Sequence, residues 1–223
     1  MGGQVGGIRF SRSALLLIGA MMVLAIGVSS CAKPPLAEQE AAKAAIASAT
    51  AKEAAEYAPV ELRAAQDSLA KAEVEITTQG GKFALFRSYK KATALVLSAQ
   101  AKGQEAEQAA IRNKEQFRKD SEAAIAQTEQ LIAEVKTFMA SKEVQALKRG
   151  KETREALKQI EAELAAADTT LITQVKPMHQ QEKFKMSLSA AKGLNGQVNA
   201  LMQEVQSAIT EKKFISRMPK SGL

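Results

Sequence analysis

Residues 89–110 read YKKATALVLSAQAKGQEAEQAA, and Tyr89, Ala92, Val96, Ala99, Gly103, Ala106 and Ala110 recur in it at alternating steps of three and four. That spacing lines one face of an α-helix. Because the stripe is mostly Ala and Gly, a neighbouring backbone can come close to it. No segment alternates apolar and polar residues as a half-buried strand requires, so the fold class is all-α.

The pattern continues on both sides. Upstream, residues 36–57 read LAEQEAAKAAIASATAKEAAEY, a strong helix former with small inward side chains. Pro59 ends that helix and suits the first position of the next, where its missing N–H costs nothing. There Leu62, Ala65, Leu69, Ala72 and Ile76 alternate large and small along a narrow seam, and Gly80-Gly81 reads as a turn. A third helix is expected from Lys82. Beyond Phe117 its seam resumes at Ile125, Ile132, Val135 and Met139, and Lys148-Arg149-Gly150 reads as its C-terminus. Leu157, Ile160, Leu164, Ala167, Leu171 and Gln174 form the next stripe, interrupted by Lys176-Pro177. A last helix is expected over 178–213, with a tail over 214–223. Short connections favour antiparallel neighbours, so the expected architecture is an elongated antiparallel helical bundle of coiled-coil-like hairpins. The expected divisions are 38–110 for an Ala-rich hairpin domain and 111–213 for long coiled-coil-like helices.

The N-terminal segment has a different composition. Met1–Ser13 carries Arg9 and Arg12 and no acid, and residues 14–28 read ALLLIGAMMVLAIGV. A basic stretch before an apolar run that ends at Ser29 and Ser30 is the layout of a signal peptide, here residues 1–30; a spanning helix wants about 20 apolar residues. The junction Val28-Ser29-Ser30-Cys31 resembles the bacterial lipobox, with Val28, Ser29 and Ser30 as the peptidase recognition residues. That resemblance implies that Cys31, the only cysteine in the chain, is thioether-linked to diacylglycerol and N-acylated, an anchor of two or three chains. Ala32 rather than Asp follows the cysteine, which implies the periplasmic face of an outer membrane. Lys33, Pro34 and Pro35 form a stiff tether within residues 31–37.

The segment Tyr57-Ala58-Pro59-Val60-Glu61-Leu62 is followed by Ala65, Leu69 and Ala72 and then, after a Gly-containing turn, by Tyr89, Ala92 and Ala99. It resembles a family of bacterial lipoprotein domains catalogued as domain of unknown function 4398, over about residues 38–110. The resemblance implies an Ala-rich helical hairpin, an envelope location and no known chemistry. Some members carry a cell-wall-binding domain of the OmpA type, and no such module is visible here. The chain also departs from the small murein lipoprotein, which joins the wall through a terminal lysine; here Lys220 is followed by Ser221-Gly222-Leu223.

The formal charge is +7, of which Arg9 and Arg12 account for +2. The remaining +5 is interleaved with acids along the helices, a solvated-face pattern rather than a nucleic-acid surface. A weak attraction to anionic headgroups or acidic envelope polymer is the expected use of the charge. His179 and Glu182 make a lone H-x-x-E pair, short of the three or four ligands a metal needs. S-x-x-K occurs at Ser68, Ser88 and Ser189, a repetition typical of Lys-rich helices, and no accompanying strand framework supports acyl transfer. The expectation is a non-catalytic lipoprotein without cofactor or metal, a membrane-anchored helical spacer or scaffold. Its seam of Leu62, Ala65, Leu69, Ala72, Ile76, Tyr89, Ala92, Val96 and Ala99 would serve self-association or a protein partner. The alternative is a carrier of an apolar ligand such as lipid, with Met139, Met178, Met186 and Met202 as an adaptable lining.

Overall fold

The computed structural model describes residues 33–217, with side chains through Glu211. Among the described residues the chain is all-α, without strands. The helices are α1 (Leu36–Ala51), α2 (Ala54–Tyr57), α3 (Pro59–Gly80), α4 (Lys90–Met139), α5 (Lys142–Leu147), α6 (Lys151–Thr170), α7 (Lys176–Gln180) and α8 (Phe184–Arg217). A 3-10 turn (Ala84–Phe86) precedes α4, and a π turn (Leu171–Val175) joins α6 to α7. The chain divides into two compact units between Ala110 and Ile111; the 50-residue helix α4 contributes its first part to unit 1 and its remainder to unit 2.

In unit 1, α1 and α3 form an antiparallel pair: the Gln39 side chain donates to Glu73 Oε1 at 3.0 Å, so the start of α1 lies beside the end of α3. The first part of α4 completes a three-helix core of Ala42, Ala72, Val96 and Ala99, with Leu69, Ile76 and Leu95 packed against it. The expected continuous helix over 36–57 is broken after Ala51. Glu53 takes a left-handed conformation, φ 61°, and its N–H reaches back to the Thr50 carbonyl. This is a helix C-cap geometry that normally selects glycine. Pro59 occupies the first turn of α3 as its chemistry predicts. The third helix starts at Lys90 rather than Lys82, and residues 82–89 form a projecting loop.

Unit 2 is built from larger side chains. Ile125, Ile132, Val135 and Met139 of α4, Leu157, Ile160, Leu164 and Leu171 of α6 and its π extension, and Leu188, Leu194, Val198, Leu201 and Val205 of α8 share one buried cluster. Burying each side chain of this size is worth about 1.5–3 kcal/mol. The helix expected to run to Lys148-Arg149-Gly150 stops at Met139. Ser141 then caps α5 by accepting from the Val144 N–H at 3.4 Å, and Gly150 is the N-cap of α6. The predicted stripe ends differently too: Gln174 is exposed and Val175 is fully buried. The wider π turn inserts one residue and rotates the buried phase by one position.

Pro177 does not reverse the chain. It sits in the first turn of α7, and the reversal comes at 181–183, where the N–H groups of Glu182 and Lys183 reach back to the carbonyls of His179 and Met178. That paired 5→2 and 6→1 pattern is a Schellman cap with Glu182 at φ 60° in the usual glycine position. The last helix therefore begins at Phe184 rather than 178. It runs to Arg217, through part of the stretch expected to be a tail.

Candidate functional site

Val28, Ser29, Ser30 and Cys31, the proposed processing and lipidation positions, lie outside the described residues. The described residues begin at Lys33, and Pro35 is already buried as the N-cap of α1. Cys31 is two residues from Lys33 and so within about 7 Å of it along the chain. No helix among the described residues is long and apolar enough to cross a membrane.

All nine seam residues lie in unit 1, and Leu69, Ala72, Ile76, Val96 and Ala99 share one apolar cluster there. Leu62, Ala65, Ala72, Tyr89, Ala92, Val96 and Ala99 are buried, and Leu69 and Ile76 are half-buried against the same cluster. Gly103 extends the seam: a Cβ placed there would sit 3.0 Å from Ala45 Cβ and 3.1 Å from the Ile46 nitrogen. The backbones of α1 and α4 approach so closely because neither side carries bulk. The seam is thus closed within the chain, between α1, α3 and the first part of α4. Its polar edges are tied as well. Lys102 Nζ donates to Ser68 Oγ at 2.9 Å, and Ser68 donates to the Ala64 carbonyl. The Gln79 side chain accepts from the Ser88 N–H and donates to Glu75. The Gln79 hydrogen bond, then Lys91 at 2.9 Å, hold Glu75 below the usual carboxylate range.

Unit 2 has a buried hydroxyl cluster that the sequence reading missed. Ser121 on α4 and Ser187 on α8 are fully buried and 2.9 Å apart, and Ser121 also lies 2.9 Å from His179 Nδ1. The hydroxyls form a chain of hydrogen bonds that ends on a backbone carbonyl. Ser121 donates to Ser187, which donates to the Val175 carbonyl at 3.2 Å. Each hydroxyl has one proton, so in this arrangement the remaining contact of Ser121 is to a protonated His179 Nδ1. Both oxygens are inaccessible to substrate. The cluster ties α4, the π turn, α7 and α8 together and satisfies polar groups in the core. Thr128 does similar work two turns on, donating to Ala124 and, across the helix pair, to Ala191. A signal was present, because Ser121 and Thr128 interrupt the apolar stripe running from Phe117 through Ile125 to Ile132.

His179 also packs edge-on against Phe184, with ring centres 5.1 Å apart, and Glu182 pairs with Lys114 at 2.7 Å. Among the described residues no group of three or more His, Cys, Asp or Glu is placed to hold a metal. Of the four methionines, Met139 is buried in the core with the half-buried Met202 packed against the same cluster, Met178 is half-buried and Met186 is 57% exposed.

Fold and seam define a class, an all-α chain whose first unit closes on an Ala- and Gly-lined helical seam. Residues 37–127 match the family described as Domain of unknown function (DUF4398). The match covers the described seam and continues through the first 17 residues of unit 2. No curated protein and no solved structure matches the chain.

Proposed function

We propose that the chain is a non-catalytic envelope lipoprotein, processed before Cys31, held by lipid on that cysteine at the periplasmic face of an outer membrane, and acting there as a helical spacer or scaffold. The observation that carries the reading is the order of elements at the N-terminus. A basic stretch, an apolar run, Val28-Ser29-Ser30-Cys31 and a diproline lead directly into α1. The family matched by residues 37–127 supports it through the resemblance to bacterial lipoprotein domains. Two or three acyl chains on one cysteine hold a protein to a bilayer with very slow release.

The seam side chains are already engaged within unit 1, so a partner or second copy is proposed to use the outward faces of the helices. The carrier alternative draws little support from the interior, where Ala and Gly are packed to backbone contact in unit 1 and Met186 of unit 2 faces outward.

The test is intact mass of protein extracted from its native membrane, comparing wild type with Cys31→Ser. A chain beginning at Cys31 with added acyl mass, lost on substitution, supports the proposal. An uncleaved and unmodified chain overturns the anchor and the address together.

A further inference from the structure

The loop between α3 and α4 reads Lys82-Phe83-Ala84-Leu85-Phe86-Arg87-Ser88-Tyr89-Lys90-Lys91 and exposes its apolar side chains: Phe83 is 69%, Leu85 84% and Phe86 75% accessible. They are contiguous and are held in one shape. The Phe86 N–H donates to the Phe83 carbonyl at 2.9 Å, Arg87 Nε donates to the Lys82 carbonyl at 2.8 Å, and the Phe83 and Phe86 ring centres lie 6.3 Å apart. A tied loop that already presents two aromatic rings and a leucine to water loses little further freedom on binding and gains apolar burial if something covers it.

The surrounding charge has one sign. Between Glu75 and Glu105 the sequence contains Lys82, Arg87, Lys90, Lys91 and Lys102 and no acid. The acids nearest in register are Glu38 in the first turn of α1 and Glu73 and Glu75 on α3. Glu73 is engaged by Gln39 and Lys43, and Glu75 by Gln79 and Lys91. Lys33 lines one shallow depression with Arg87 and Lys90. Lys33, two positions after Cys31 in the sequence, therefore lies against this loop.

We infer that the 82–91 loop is a membrane-contacting tip: Phe83, Leu85 and Phe86 enter the interface of an anionic lipid bilayer, while Lys33, Lys82, Arg87 and Lys90 engage its headgroups. Apolar groups at the acyl boundary with a rim of cations is the chemistry of interfacial binding, and each cation near an anionic surface adds about fivefold to the partition. The inference rests on the lipid-anchored reading for what brings the tip to the bilayer. The short reach from Lys33 to Cys31 would then put anchor and tip on the same surface.

The chain has no tryptophan, so Phe86→Trp places a single reporter in the tip. Full-length protein from its native membrane is reconstituted in phosphatidylcholine vesicles, with or without phosphatidylglycerol and with brominated acyl chains as quenchers; flotation establishes that the chain is on the vesicles. Blue-shifted emission quenched by bromolipid, and increasing with phosphatidylglycerol, is expected from Phe86→Trp and not from Ile172→Trp, at an exposed site in unit 2. Adding Phe83→Ser should lower the inserted fraction on the order of tenfold, and Lys90→Gln about fivefold in anionic vesicles. Unquenched emission from a chain that floats with the vesicles would overturn the tip while leaving the anchor intact. A concentration-dependent blue shift without vesicles would mean that a second copy covers the loop, and would also overturn it. Repeating the assay with Cys31→Ser separates the readings: quenching retained would show insertion without the lipid, and quenching lost only there would show a tip delivered by the anchor. Either supports the inference.

Discussion

In unit 1 the core shared by three helices is Ala42, Ala72, Val96 and Ala99, whereas the cluster in unit 2 draws on leucine, isoleucine, valine and methionine along its whole length. The same secondary structure is therefore stabilised in opposite ways. Alanine offers little area to remove from water, so unit 1 depends on how closely its backbones approach. Unit 2 fills the space between its helices with larger side chains, and so depends on side-chain volume. Unit 1 should be sensitive to added atoms and unit 2 to removed ones.

The largest expected effect is in unit 2. Leu171 is 1% exposed, and Leu171→Ala removes volume that close-packed neighbours cannot refill. A loss of about 2–5 kcal/mol is expected. Urea unfolding combined with segment-resolved hydrogen exchange should show the loss in α6 and α8 and leave α1 and α3 protected. Equal deprotection of α1 and α3 would break the comparison by making the units energetically one.

The reverse experiment is at Gly103, where added atoms meet α1 backbone at 3.1 Å. Gly103→Leu should destabilise unit 1 by about 2 kcal/mol, overpacking outweighing the gain in helix propensity. The control is Gly193→Ala in α8, where nothing lies within 4 Å of the new Cβ. There the substitution should stabilise by about 0.5–1 kcal/mol. If both glycine replacements stabilise, the close approach in unit 1 is not what holds it.

These contrasts also explain what the sequence revealed. The seam of Leu62, Ala65, Ala72, Tyr89, Ala92, Val96 and Ala99 was legible because small side chains recurring at helical spacing leave a periodic record. The two reversals at Glu53 and Glu182 were not, because left-handed caps are read from glycine or asparagine and here each is a glutamate. The phase shift from Gln174 to Val175 was hidden because a π turn changes the period without changing composition. The 82–89 loop was hidden because Gly80-Gly81 already supplied a turn and nothing in Phe83–Phe86 forbids helix. The contact of Ser121, Ser187 and His179 joins residues 58 and 66 positions apart, which a local reading cannot pair.

That cluster supports a smaller prediction. Ser187→Ala leaves the Ser121 proton and the Val175 carbonyl without this partner in a dry core, a loss of about 1–3 kcal/mol. Thr128→Val, which deletes one cross-helix bond to Ala191 while keeping the shape, should cost about 1 kcal/mol. Thermal unfolding of both variants orders them. The reverse order would mean that the Ser121–Ser187 pair is less important to unit 2 than the single threonine.

The smallest effect is electrostatic and belongs to the first turns of unit 2. Arg118, held charged by the neighbouring carboxylates, donates to both oxygens of Glu115, each at 2.8 Å. The Arg118 hydrogen bonds, followed by its charge and that of Lys119, bring the Glu115 carboxyl down to about 2. Because the folded value lies below the unfolded one, the pair's contribution is present above the ordinary carboxylate range and fades as pH falls towards the folded value. The residues are on the surface, so the contribution to stability is small and the titration itself is the measurement. Carbon-detected NMR of Glu115 should show its inflection far below that of an ordinary glutamate, and Arg118→Gln should return it to the normal range. An unshifted Glu115 in the wild type would leave packing alone to distinguish the two units.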